Sequence, residues 1–188
     1  MTLALLLTFD PESEQKLVQL QDQIKEHWSD AKDEFSESRP HISLDVRPHI
    51  TLGGFEGAAP DGFVERLRSF AAQQKPLKIQ LASLGTFAGD EGVLFLAPVV
   101  TDELLKFHSL VHAHLLSSVS EQIPYYLPDA WVPHVTIAVQ AADEFFPHLL
   151  QLCREAGVFR EIWATHLSLL DYPPLSSLAD VALGIEPD

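Results

Sequence analysis

Two stretches of the chain share one pattern: Pro48-His49-Ile50-Thr51-Leu52 and Pro133-His134-Val135-Thr136-Ile137, with the histidines 85 residues apart. On an extended strand, side chains two residues apart share a face. His49 and Thr51 therefore project together while Ile50 and Leu52 enter the core, and His134 and Thr136 do the same. Two imidazoles and two hydroxyls lining a common cleft suit phosphoryl chemistry. One imidazole accepts a proton, the other donates one, and the hydroxyls bond the non-bridging oxygens. An ordinary imidazole pKa of about 6.5 lets both protonation states coexist near neutrality. A lone His-x-Ser is a weak signal, since His27/Ser29, His41/Ser43 and His166/Ser168 also supply it. The pentapeptide on two strand-like stretches is the stronger one, set against the plainer reading of histidines that merely cap a sheet edge.

The flanking sequence supplies elements to hold these strands. Leu3–Phe9 reads as a buried strand, and Asp10 with Pro11 opens a helix whose Leu17, Leu20, Ile24 and Trp28 form an apolar stripe. Ser29–Arg39 is polar and loop-like, and Arg39–Phe55 alternates as a strand does. A second helix, capped by Asp61, carries Phe63, Val64, Leu67 and Phe70. Leu77–Phe87 and Val93–Val99 read as a strand pair joined by a turn at 89–92. Thr101 caps a third helix with Leu104, Phe107, Val111 and Leu115 inward. Val132–Val139 is a strand, residues 146–156 a helix stopped by Gly157, and Ile162–Leu170 and Ala179–Ile185 closing strands. This order predicts an α+β fold of antiparallel sheets covered by helices.

Composition narrows the ligand. The 188 residues hold 12 Lys plus Arg against 27 Asp plus Glu, a formal charge of −15. Wide phosphate-tracking surfaces depend on Lys and Arg, so a long duplex nucleic acid is excluded while a small phosphorylated ligand in a local pocket is not. The single cysteine, Cys153, excludes a disulfide scaffold or a multi-cysteine zinc site within one chain. The apolar opening is too short to span a membrane and lacks a basic leader, so a soluble, cytoplasmic setting is expected.

On the repeated motif, and on the order of elements around it, the chain resembles the two-histidine (2H) phosphoesterase superfamily, which includes the 2'-5' RNA ligase-like proteins and 2',3'-cyclic phosphodiesterases. The resemblance runs nearly the whole chain, from the opening strand and helix to Trp131-Val-Pro-His-Val-Thr-Ile-Ala138. It implies a single bilobed, pseudo-twofold α+β domain over residues 1–188, with two antiparallel sheets, flanking helices and a central cleft. It assigns His49 and His134 as catalytic and Thr51 and Thr136 as substrate-binding. It implies an enzyme that needs no metal or cofactor and hydrolyses the 2',3'-cyclic phosphate of nucleotides or RNA ends; a monomer is expected.

Alternatives stay open at this level. Pro40-His41-Ile42-Ser43-Leu44 fits a looser first motif. His41 and His49 would lie about 26 Å apart on one continuous strand, so both could not serve one phosphate. His49 is preferred because its motif has Thr and runs into Gly53-Gly54-Phe55. His108 and His112 stand i, i+4 on the third helix, a spacing that could hold a metal, but with His114 they are expected on its outer surface. Tyr125, Tyr126 and Trp131 either pack in the core or stack on a nucleobase. Arg39 and Arg47 could assist a phosphate or simply be solvated, and Cys153 should be an inert buried thiol. The rival functions are a non-catalytic binder of a nucleotide or phosphorylated metabolite and a metal-dependent hydrolase.

Overall fold

The structure, a computed structural model, describes residues 2–30, 46–89, 92–141, 145–172 and 175–184. Arg39, His41 and Ser43, and the side chains of His27 and Trp28, lie outside the described residues. Seven strands and four α-helices are described: β1 (Thr2–Phe9), α1 (Pro11–Asp30), β2 (His49–Glu56), α2 (Phe63–Ala71), β3 (Leu77–Thr86), β4 (Leu94–Pro98), α3 (Asp102–Val111), β5 (Val135–Ala138), α4 (Phe146–Glu155), β6 (Glu161–Tyr172) and β7 (Ser176–Ala182). A π-helical turn, His112–Leu116, extends α3. No helix among the described residues is long and apolar enough to cross a membrane.

Every strand pairing is antiparallel, in the order β2-β1-β6-β3-β4-β5, with β7 added to β6. β3 serves both halves of this path. Leu77–Gln80 pair with β6, and from Leu81 onward the strand pairs with β4. The motif strands β2 and β5 therefore stand at opposite ends of the order, yet the sheet brings their Cα atoms within 8 Å. Directly opposed residues share a face. Thr8 on β1 opposes both His49 and His166, and Leu6 opposes Thr51 and Ser168, so this face carries the polar side chains. Leu3, Leu5, Leu7 and Phe9 turn to the other face and are wholly buried.

Helix caps follow the local chemistry. The Asp10 carboxylate accepts the backbone N–H groups of Glu12 and Ser13, and the Thr101 hydroxyl accepts that of Leu104. Asp61 does not cap α2. Gly62, at φ +69°, occupies the cap position instead, and the Asp61 carbonyl accepts a hydrogen bond from Arg66. β2 begins at His49, because Pro48 has no N–H for a ladder, and the part of the expected strand over 39–45 lies outside the described residues. β7 starts three residues earlier than the apolar pattern indicates. Ser176 and Ser177 pair with Asp171 and Leu170 although their side chains are polar.

Candidate active site

The first motif lies on β2. His49 is half-buried, and its Nδ1–H donates to the Arg47 carbonyl at 2.7 Å. A carbonyl only accepts, so the proton sits on Nδ1 and Nε2 keeps its lone pair. Thr51 is nearly buried, at 8% exposure. Between Thr51, which opposes Leu6, and Gly53, which opposes Leu5, Leu52 is an extra residue. This is a β-bulge, a device that re-aims side chains beside sites.

The second motif repeats this geometry, although the strand is shorter than the expected Val132–Val139: β5 begins at Val135, and His134 stands immediately before it. His134 Nδ1–H donates to the Val132 carbonyl, again at 2.7 Å. Thr136 opposes Phe95 and Ala138 opposes Leu94, so the bulge falls on Ile137, the same fifth position of the pattern. The setting differs. The His134 ring packs edge-on to Phe87, with centroids 5.0 Å apart, and lies 5.2 Å from Phe95. Beside it opens a cavity of about 370 Å³ lined by His134, Thr136, Phe87, Tyr125, Tyr126 and Val132 among others. Burial lowers the pKa of His134, opposed by its bond to Val132. Burial likewise lowers that of His49, opposed by the Arg47 carbonyl and reinforced by the nearby imidazole of His134. The two rings are thus electrostatic neighbours, and the neutral form is favoured in each.

Of the three histidines expected on the outer surface, His114 is exposed, while His108 and His112 are buried. His108 is 1% exposed and His112 is 9% exposed. Their Nε2 atoms both lie 3.0 Å from the Leu52 carbonyl, and His108 is also 3.1 Å from the Tyr126 carbonyl. Burial, with His112 alongside, depresses the His108 pKa to about 4. With Nε2 donating to carbonyls, the pair is not arranged to bind a metal. Among the described residues no cluster of three His, Cys, Asp or Glu could hold one. The reason for burial was present in the spacing: His108 falls one helical turn after Leu104, within the apolar stripe.

Trp131 is a core residue. Its indole lies flat on His108, with centroids 3.8 Å apart, and its Nε1–H donates to the Thr51 carbonyl at 2.8 Å. Tyr126 is half-buried, and its phenol is hydrogen-bonded with the Thr51 side chain, which partly offsets the upward pull of burial on its pKa. Tyr125 is 62% exposed at the cavity mouth. Arg47 is not free for a phosphate. Glu14 receives its Nε and Nη2 donors, and Asp180 takes Nη1 at 2.9 Å. Cys153 is buried, and its thiol pKa is pushed up to about 12, as an inert thiol requires.

Residues 43–173 match the family model of the 2'-5' RNA ligase superfamily. The chain belongs to this superfamily of two-histidine phosphoesterases. It is 31% identical over 135 residues to a Bacillus licheniformis protein described provisionally as a phosphoesterase, covering 70% of this chain and 72% of that one. A Bacillus cytotoxicus protein with the same provisional description is 32% identical over 125 residues, 65% of this chain and 68% of the relative. The fold is that of TT0787 from Thermus thermophilus (TM-score 0.63, 16% identity, 98% of both chains). It is also that of E. coli LigT in complex with 3'-AMP (TM-score 0.60, 16% identity, 97% and 98%). The α+β, antiparallel architecture expected from the sequence is therefore the architecture of this superfamily's members.

Proposed function

We propose that this phosphoesterase hydrolyses the 2',3'-cyclic phosphate of nucleotides or RNA ends, without a metal, using His49 and His134 as the acid/base pair. The observation that carries the reading is the repeated geometry. Each histidine donates Nδ1–H to the carbonyl two residues back, which leaves Nε2 as the proton-transfer atom of each motif. One Nε2 takes a proton from water as its oxygen attacks phosphorus. The bond from phosphorus to one ribose oxygen breaks, and the other imidazolium protonates that oxygen. The product is a ribose phosphomonoester with a free neighbouring hydroxyl, and proton exchange with solvent resets the pair.

Thr51 and Thr136 stabilise the non-bridging oxygens by hydrogen bonds. The cavity beside His134 suits the nucleoside, with the exposed Tyr125 ring and Phe87 as stacking surfaces. LigT, which shares the fold, has been crystallised with 3'-AMP, a ligand of the size this cavity suits. The acidic balance of the chain, with Arg47 already paired, favours mononucleotides and short ends over long duplexes. The test is hydrolysis of 2',3'-cyclic AMP by purified protein in excess chelator. Turnover to a phosphomonoester supports the reading. Binding without turnover, or turnover abolished by chelator, overturns it.

A further inference from the structure

β2 and β5 are not ladder partners, so no ladder hydrogen bond runs directly between the two motifs. Side-chain hydrogen bonds from the segment before β5 and from α3 reach the first motif instead. The Thr51 carbonyl accepts Trp131 Nε1–H at 2.8 Å, and the bulged Leu52 carbonyl accepts His108 and His112. Trp131 precedes His134 by three residues, on the segment that leads into β5. Its ring cannot tilt freely, since it is 8% exposed and lies within 2° of parallel to His108. His108 is fixed in turn by the carbonyls of Leu52 and Tyr126. The indole is therefore a strut, braced on one face, whose N–H ends on the residue that carries the cleft hydroxyl.

We propose that Trp131 is a positioning residue: through the Thr51 carbonyl it sets where the Thr51 hydroxyl stands relative to His134 and Thr136. This rests on the function proposed above. A group that must meet developing charge on phosphorus loses its effect when displaced by a fraction of an ångström to an ångström, while substrate held mainly in the cavity beside His134 still binds. Loss of the strut should accordingly appear in kcat more than in KM.

The variant Trp131→Phe keeps an aromatic ring over His108 and removes the N–H. With 2',3'-cyclic AMP, kcat is expected to fall about tenfold with KM nearly unchanged. In a Thr51→Ala background the same substitution should add less than about twofold, because residues acting as one unit are not additive. Cys153→Ala, which removes a buried, inert thiol on α4, should lower the melting temperature and leave kcat in place. Independent, multiplying losses from Trp131→Phe and Thr51→Ala would overturn the proposal. So would a kcat loss in Cys153→Ala equal to that in Trp131→Phe. A wild type with no turnover on cyclic phosphates would instead refute the proposed function. The strut would then be judged by NMR. It requires a slowly exchanging Trp131 indole proton, and a Thr51 methyl resonance that moves in Trp131→Phe while that of Thr136 does not. A rapidly exchanging indole proton, or an unmoved Thr51, would refute the strut itself.

Discussion

The two motif regions are built alike along the chain and differently around it. At each, a proline precedes the histidine, Nδ1 is tied to the carbonyl two residues back, and a bulge follows the threonine. Around His49 the neighbours are polar: Thr8 on the adjoining strand, and an Arg47 side chain clamped by Glu14 and Asp180. Asp180 also accepts the Ser168 hydroxyl at 2.6 Å. Around His134 they are aromatic, and the cavity opens on that side. The difference teaches that the pentapeptide specifies the presentation of an imidazole, while the neighbours decide what else can approach it. The His134 side is lined by aromatic rings beside an open cavity, and the His49 side by paired polar and charged groups.

If the two histidines are partners despite these surroundings, removing either should cost the same order of activity. His49→Ala and His134→Ala are each expected to lower kcat/KM for 2',3'-cyclic AMP about 10²–10⁴-fold. The double variant should be little worse than either single one. A loss at one histidine with near-normal rates at the other would break the symmetry and the site with it. Thr51→Ala and Thr136→Ala should each lose less, since proton transfer survives them.

The next effect concerns stability and separates the helix histidine from the cleft pair. His108 has a folded pKa of about 4, below the ordinary 6.5 of an unfolded chain. The unfolded state therefore binds the proton more readily. The associated stability is complete above pH 6.5 and is lost as pH falls through about 4, amounting to about 3 kcal/mol. Urea unfolding from pH 7 down to pH 4.5 should show this slope, and His108→Gln should flatten it. An unchanged slope would mean that His108 is not protected from protons in the folded state.

The cleft pair should register in the rate profile. Both pKa values lie below the ordinary one, so kcat/KM is expected to peak on the acid side of pH 6.5, where one imidazole is protonated and the other free. Phe87→Ala removes part of the aromatic packing on His134. It should raise KM for a cyclic nucleotide about tenfold, from lost stacking. It should also move one limb of the profile to higher pH, because desolvation of His134 is relieved. Movement of the alkaline limb makes His134 the acid, and movement of the acid limb makes it the base. No movement of either limb would detach Phe87 from the site. The smallest effect is expected from His41→Ala, with kcat/KM within a few-fold of wild type. A dead His41 variant beside an active His49 variant would relocate the first motif to His41 and Ser43.

Much of this site was legible in the one-dimensional pattern. Alternation put His49 with Thr51 and His134 with Thr136 because strand geometry has a strict period of two, and the caps at Asp10 and Thr101 are local chemistry. The bulges at Leu52 and Ile137 were not legible, since nothing in a residue's type marks it as the unpaired one of a ladder. For His108 and His112 the spacing hints at burial, but residue type argues against it. A polar side chain reads as solvent-facing unless its buried partner is known, and that partner is a main-chain carbonyl 56 residues away in the case of His108. The role of Trp131 is not legible in the sequence, because stacking on a base and stacking on an imidazole require the same residue.

The sequence by itself determined which atoms could do the chemistry. Residue type and a short periodicity suffice to place an imidazole and a hydroxyl on one strand face, twice. The tertiary structure alone decided that the two strands meet, from opposite ends of a sheet whose third strand serves both halves. It also decided that burial pulls both imidazole pKa values down, and that Arg47 is used by Glu14 and Asp180 rather than left for a phosphate. These outcomes depend on distances between residues far apart in the chain, which desolvation and charge pairing read directly and which no local pattern encodes.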